Sequence, residues 1–138
     1  MLIIKETTDL TSDIYNDALK IRKNVFVDEQ LVPMSLEIED EELCIHFVLY
    51  DDAFPRATVR LFPKNNGIYK VQRMAVSKKN RKMGYGRELM AYVEKYAHKN
   101  TANKLALGAQ TQAIPFYESI GYDVFGEEYL DAGIKHFD

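Results

Sequence analysis

The six residues Arg81-Lys82-Met83-Gly84-Tyr85-Gly86 carry the most readable chemistry in this chain. They follow an apolar run and open an amphipathic one, so they sit where a strand hands over to a helix. A helix N-terminus presents unpaired N–H groups and the positive end of a dipole, and both attract phosphate. Gly84 and Gly86 lack side chains, which lets a pyrophosphate approach the backbone, and Arg81 can add a charge-assisted contact. The chemistry implied is the holding of a phosphorylated small molecule.

Two familiar phosphate loops do not fit. A P-loop ends in Gly-Lys-Ser/Thr, and no such sequence follows Gly86. A dinucleotide-binding loop needs a third glycine where this chain has Leu89. The preceding strand also follows an antiparallel hairpin instead of opening a βαβ unit. NAD- and ATP-binding readings lose on both grounds, which leaves an Arg-x-x-Gly-x-Gly turn after an apolar strand.

The charge pattern agrees with a small polyanion. The formal net charge is −3, against the basic excess of a general nucleic-acid binder. Locally, Lys78, Lys79, Arg81, Lys82 and Arg87 crowd the glycine turn, while Glu37, Glu39, Asp40, Glu41 and Glu42 form an acidic cluster. A basic pocket on an acidic chain suits a small polyanion better than a nucleic-acid groove. The acidic cluster reads either as a solvated face or as the lining of an entrance for a cationic partner. Cys44 is the only cysteine, so no internal disulfide can form, and no His/Cys/carboxylate spacing suggests a metal site. No apolar stretch approaches signal-peptide or membrane-spanning length, and a soluble cytoplasmic protein is the expectation.

The elements that must position the turn follow from periodicity. At 138 residues the chain is expected to form a single domain, residues 1–138. Residues 2–7 read as a strand. Ser12 or Asp13 caps a helix running to about Val27, with Ile14, Ala18, Ile21 and Val25 on one stripe. Residues 43–50 alternate as a strand, Asp51-Asp52 followed by Pro55 marks a turn, and Ala57 to Phe62 alternate again. Asn66-Gly67 signals a tight hairpin into a strand from Ile68 to Val76.

A helix follows from about Gly84 to His98, with Asn100 as its stop, and Leu105 to Ala109 is a short apolar strand. That strand–helix–strand step implies parallel neighbours. Pro115 belongs in the first turn of a helix starting near Thr111–Gln112 and ended by Gly121, with final strands at 122–125 and 134–137. The fold class expected is α+β, a mixed, mainly antiparallel sheet of six to seven strands flanked by helices.

Four segments resemble one family and keep its motif order along the chain. Val71-Gln72-Arg73-Met74-Ala75-Val76 through Arg81-Lys82-Met83-Gly84-Tyr85-Gly86-Arg87-Glu88-Leu89-Met90 resembles the acetyl-CoA motif of the GNAT N-acetyltransferase superfamily. Ala109-Gln110-Thr111-Gln112-Ala113-Ile114-Pro115-Phe116-Tyr117-Glu118-Ser119-Ile120-Gly121-Tyr122 resembles its last shared block. Arg22-Lys23-x-Val25-Phe26-Val27-Asp28-Glu29-Gln30 and Gly133-Ile134-x-His136 are similar to a small bacterial branch of YjcF-like proteins. The likeness spans nearly the whole chain.

The resemblance implies acetyl transfer from acetyl-CoA to a primary amine, with no metal. The pantetheine arm would pair with the backbone of Met74, Ala75 and Val76, and the pyrophosphate would rest on the amides of Lys82, Met83, Gly84, Tyr85, Gly86 and Arg87, with Arg81 beside it. Gln110 stands where many relatives carry asparagine as a partner of the cofactor arm. Phe116 and Tyr117 complete the cofactor side, Phe116 chiefly by packing.

Tyr117 matches the family's general acid for the departing thiolate. A free thiol titrates near about 8.5 and a tyrosine near about 10. Candidates for the base are Glu29, Asp28, His46 or a water they hold. His46 is suited by its ordinary pKa near about 6.5, although a lone histidine in an apolar strand is more often structural. Relatives with a glutamate beside Arg73 differ from this chain, which has Gln72 and so no proton acceptor there. That difference sustains a second reading, a CoA-binding module without turnover. The acceptor is not specified by the sequence; a cationic one follows only if the acidic cluster lines the entrance. A homodimer is compatible with the sequence.

Overall fold

Ser12 ends the first strand's exit loop by capping a helix. Its side chain accepts from the Tyr15 amide at 3.2 Å, satisfying one of the donors that every helix start leaves open. The computed structural model describes residues 1–25, 40–64, 67–81, 83–102, 104–108, 114–120, 123–124 and 131–136. Its elements are β1 (Leu2–Thr7), α1 (Asp13–Arg22), β2 (Ile45–Asp51), β3 (Phe54–Pro63), β4 (Ile68–Val76), α2 (Tyr85–Lys99), β5 (Lys104–Gly108), α3 (Ile114–Ser119), β6 (Asp123–Val124) and β7 (Asp131–His136).

The strands lie in the order β1-β2-β3-β4-β5-β7-β6. Five successive strands, β1 to β5, are contiguous, and the C-terminal β7 with the two-residue β6 extends the sheet beyond β5. Only β4 and β5 pair in parallel; every other neighbour pair is antiparallel. The architecture is α+β with a mixed, mostly antiparallel sheet flanked by helices.

Turn chemistry sets the registers. Asp52 and Ala53 both take positive φ, 51° and 72°, the mirror-image turn whose twist matches a two-residue hairpin. Pro55 lies inside β3, not in the turn as the sequence suggests. It opposes Tyr50 at a register shift, a place where a residue without an N–H does least harm. Gly67, at φ 74°, leads into β4, and the Lys64 amide closes that hairpin on the Ile68 carbonyl at 2.7 Å. Asn66 lies outside the described residues.

The α2 face of the sheet holds the larger core. Phe47, Leu49, Val59, Leu61 and Val71 meet Leu89, Met90 and Val93 of α2, all buried. Each such side chain contributes about 1.5–3 kcal/mol on removal from water. On the other face Ala18, Ile21 and Val25 pack on Val48 and Ala75, the stripe that periodicity assigns to α1. The α-helix itself ends at Arg22 and continues as a wider turn through Val25; the expected extension to Val27 lies outside the described residues.

One expectation fails here for an electrostatic reason. Residues 41–43 form a single tight 3-10 turn before β2, leaving Leu43 52% exposed, where alternation places it in the strand. Glu41 is responsible. Instead of joining a solvated acidic patch it is buried at 3% exposure. There it meets Arg22 Nη2 at 2.7 Å and Arg60 Nη1 at 3.2 Å. Burial alone would raise its carboxyl. The hydrogen bond and charge of Arg22, with His46 and Arg60, outweigh that and hold the carboxyl below its ordinary value.

His46 and Arg60 face each other across β2 and β3, and Arg60 faces Gln72 across β3 and β4, so one polar row crosses the sheet under α1. The buried His46 places Nε2 3.0 Å from the Glu41 carbonyl oxygen, which can only accept, so this nitrogen carries the proton. Burial pushes the imidazole below its ordinary pKa, against the pull of Glu41.

The pH consequence has a definite sign. A histidine whose folded pKa lies below its unfolded value of 6.5 takes up its proton more readily in the unfolded chain, so stability falls as pH drops below that value. Glu41, also depressed, adds a loss that begins below its unfolded value of 4.5. Urea denaturation should therefore give a lower midpoint at pH 5.5 than at pH 7.5, and His46→Gln should flatten that difference. Equal slopes in both proteins would show that His46 is not the titrating group.

Candidate functional site

The parallel ladder between β4 and β5 begins at Ile68↔Lys104 and ends at Val71↔Leu107. β4 runs on to Val76, while Gly108 at the end of β5 pairs with Asp131 of β7. Among the described residues, Gln72 to Val76 thus have no strand on their β5 side. On the other side β4 carries a bulge: Thr58 opposes Ala75 and Arg60 opposes Gln72, so two residues, Arg73 and Met74, stand against Val59. Arg73 takes φ 57°, a left-handed conformation costing a non-glycine residue about 1–2 kcal/mol. The bulge bends β4 away from β5 where the pairing stops. Met74 and Val76 pack on the α2-side core and Ala75 on the α1 side, which leaves the open edge purely main-chain.

The glycine turn faces this fork. Lys78–Asn80 form a short 3-10 turn, and Arg81 Nε reaches back to the Val76 carbonyl at 3.0 Å, fixing the guanidinium at the strand's end. Gly84, at φ 80°, is the N-cap of α2, and the Glu88 amide closes the first helical turn on its carbonyl at 3.1 Å. The amides of Tyr85, Gly86 and Arg87 precede that first bond and have no intrahelical acceptor by position. Gly84 offers no side chain to cap them. Tyr85 holds the turn from below. Its ring is buried in the core and its hydroxyl donates to Asp51 Oδ2 at 2.7 Å, a bond that keeps the Asp51 carboxyl below its ordinary value.

α3 lies across the start of α2. A β-carbon on Gly86 would sit 3.4 Å from Phe116 Cζ, a tight contact, so the ring lies directly against the glycine. Arg87 Nη2 donates to Ser119 Oγ at 3.3 Å, and Ser119 Oγ donates to the Phe116 carbonyl at 2.6 Å. The Phe116 ring meets Tyr117 edge-on, centroids 5.0 Å apart, which brings Tyr117 beside the glycine turn. Burial pushes the Tyr117 hydroxyl up to about 12, so it stays protonated and acts as a donor.

The sequence-derived residues thus divide. Met74, Ala75, Val76, Arg81, Met83, Gly84, Tyr85, Gly86, Arg87, Phe116 and Tyr117 are gathered around the fork and turn. Lys82, Gln110, Asp28 and Glu29 lie outside the described residues, as do Glu37 and Glu39 of the acidic cluster. His46 stands apart, beneath α1, with Nε2 on the Glu41 carbonyl and its ring edge-on to Tyr15 at 4.9 Å. With Nε2 protonated, the free lone pair of the ring is on Nδ1, and the whole side chain is only 1% exposed.

Sequence reasoning missed the chain Arg22–Glu41–Arg60–Gln72, which ends at the fork with Arg60 Nε donating to Gln72 Oε1 at 3.0 Å. A signal existed: Arg60 is a cation between Val59 and Leu61 in the middle of a strand, and a buried arginine needs an acid. Among the described residues, no group of three or more His, Cys, Asp or Glu is placed to hold a metal ion.

A strand fork facing an uncapped, glycine-lined helix start is an arrangement able to receive an anionic ligand. The acetyltransferase (GNAT) domain model matches residues 11–138, and the chain belongs to that family. It is 43% identical over 122 residues to a Bacillus subtilis protein described as the uncharacterized N-acetyltransferase YjcF, covering 87% of this chain and 86% of that one. Among solved structures it resembles an acyl-CoA N-acyltransferase from Pseudomonas aeruginosa, with TM-score 0.80, 24% identity and coverage of 99% and 100%. It also resembles the PaiA N-acetyltransferase of Thermoplasma acidophilum in complex with coenzyme A, with TM-score 0.74, 14% identity and coverage of 98% and 99%. Below a quarter identity these structures speak for the fold alone.

The two glycines should respond differently to substitution. No atom lies within 4 Å of a β-carbon built on Gly84, so Gly84→Ala should cost about 1–2 kcal/mol through its positive φ alone. Gly86→Ala should leave α2 intact and displace Phe116, seen as a change in Tyr117 fluorescence or in the aromatic NMR signals of α3. Equal, purely thermodynamic effects at both positions in urea melts would contradict this assignment.

Proposed function

We propose that the chain is an acetyl-CoA-dependent N-acetyltransferase acting on a primary amine. The observation that carries this reading is the coincidence, at one place, of three features: the open β4 edge, the uncapped start of α2 and the buried hydroxyl of Tyr117. The residues suit the cosubstrate. A ligand with amides along one arm and a pyrophosphate at its end matches a free strand edge followed by free helix amides.

In this reading the main chain of Met74, Ala75 and Val76 binds the pantetheine arm. The amides from Lys82 to Arg87 hold the pyrophosphate with Arg81 alongside, and Gln110 supports the arm. Acetyl-CoA supplies an activated acyl group as a thioester. The fork orients it, and Tyr117 donates a hydrogen bond to the departing sulfur. With its hydroxyl at about 12 and a free thiol near about 8.5, Tyr117 is the weaker acid. It therefore stabilises the thiolate by hydrogen bonding, and solvent completes the protonation. Glu29, or a water it holds, is the proposed base, since the His46 ring is buried beneath α1, and burial lowers its basicity. Burial of Glu41 removes one carboxylate from the cluster that suggested a cationic acceptor.

The second reading, a CoA-binding module with little turnover, draws on Gln72, which cannot accept a proton. Acetyl-CoA and CoA should raise the melting temperature of the protein, and NAD and ATP should not, because a ligand selective for the native state stabilises it. No shift with either thioester or thiol would sink both readings. In a screen of amines that follows thiol release, Tyr117→Phe should lower kcat at least about tenfold while the CoA shift persists. Unaltered kcat would remove Tyr117 from the chemistry, and silence of every amine would favour the binding module.

A further inference from the structure

Gln72 is the first β4 residue past the last β4–β5 pair, so its side chain stands at the mouth of the fork. Its register partner Arg60 places it on the α1 face, in the polar row that also contains His46. The opposite face of the fork is closed by apolar packing of Val71, Leu105 and Leu107 against α2. With the cosubstrate's phosphates at the start of α2, the α1 face is the side left for a second substrate.

The orientation of the Gln72 carboxamide is fixed by chemistry. Arginine has only donors, so the atom facing Arg60 Nε at 3.0 Å must be the oxygen. Arg60 is itself clamped: Nη1 lies 3.2 Å from Glu41 Oε2, and Glu41 Oε1 lies 2.7 Å from Arg22 Nη2, all three side chains being buried. An amide's oxygen and nitrogen diverge from one carbon. With the oxygen held by Arg60, the nitrogen and its two N–H groups are turned away from that contact, at the residue where the β4–β5 pairing has just ended. Among the described residues Nε2 has no hydrogen-bond partner, and the side chain is half-buried. Within the described residues a locked donor pair without a partner therefore stands at the mouth of the fork.

We propose that Gln72 is a specificity-determining residue whose carboxamide N–H groups receive an oxygen carried by the amine acceptor. The acceptor class is then an amine with an amide carbonyl, carboxylate or hydroxyl close to the amino group, as opposed to a plain alkylamine or polyamine. This rests on the transferase reading above. Arg60 and Glu41 act through Gln72 as positioning residues. A half-buried donor discriminates sharply because an acceptor without the oxygen leaves it unsatisfied.

The test uses matched amines of nearly equal shape, glycinamide against isobutylamine and ethanolamine against propylamine, with thiol release as readout. The ratio of kcat/KM within each pair should fall at least about tenfold in Gln72→Met, through KM of the oxygen-bearing amine, with the Kd for CoA unchanged. Arg60→Lys keeps the charge beside Glu41 but loses Nε, and should reduce the same ratio in part. An unchanged ratio in Gln72→Met overturns the inference.

A second measurement needs no turnover. With CoA bound, N-acetylglycinamide should shift the side-chain amide signals of Gln72 in a nitrogen–proton NMR spectrum, and N-isobutylacetamide should not. Intact CoA binding with these signals unmoved by the first compound defeats this proposal alone. Absence of CoA binding in the wild-type protein defeats the transferase reading, and this proposal falls with it.

Discussion

The site depends on a backbone ladder that stops early. Strand pairing satisfies every N–H and C=O that it covers, and an interior strand that loses its neighbour must find other partners. β4 loses its neighbour after Val71, because β5 ends at Gly108 while β4 runs on to Val76. The bulge at Arg73 and Met74 makes the separation structural instead of accidental: the extra residue increases the local twist and turns β4 aside. Arg73 holds a left-handed φ for this, a strain the surrounding sheet must outweigh. The core explains how it can. Val71 and Leu107, the last paired residues, are both buried against α2, so the pairing is anchored up to the point where it ends.

A second constraint acts from beneath the sheet. Glu41 sits between two arginines in the interior, where a carboxylate without both would be expensive to keep charged; removing one partner of such a group costs about 3–5 kcal/mol. Its pairs join α1 to the centre of the sheet across the entrance to β2. The chain of contacts ends at Gln72, so the element that fixes the end of α1 also fixes the polar atom nearest the fork. Stability and the geometry at the fork are thus one network, and changes to Arg60 are expected to appear in both.

Much of the fold was legible because its signals are local. Ser12 announces a helix start, Asn66-Gly67 a hairpin, Asn100 a helix stop, and the 3.6-residue stripe of Ala18, Ile21 and Val25 the buried face of α1. The glycine turn was legible for the same reason: Arg81, Gly84 and Gly86 lie within one turn of chain. The buried polar row was not. Glu41 reads as one more surface carboxylate among Asp40 and Glu42, and only the fold brings it to Arg22 and Arg60. His46 reads as a candidate base until its neighbours are known, since imidazole chemistry is decided by the atom facing each nitrogen. Leu43 fits a strand by alternation and is displaced because burying Glu41 turns the chain first.

The two long helices of this chain begin in opposite ways, and the difference bears on function. α1 supplies its own cap: Ser12 accepts from Tyr15 and satisfies one of the open donors from within the chain. α2 starts at a glycine that can accept nothing through a side chain, in a left-handed conformation that glycine adopts cheaply. A serine caps from extended backbone, which the positive φ here does not supply. Glycine leaves the amides of Tyr85, Gly86 and Arg87 for something else. Tyr85, tied through its hydroxyl to Asp51, compensates from the core side by holding the first residue of the helix in place. A helix end anchored through its side chain and left open through its main chain suits an anion that comes and goes, because the fold does not rely on that anion to keep the helix formed.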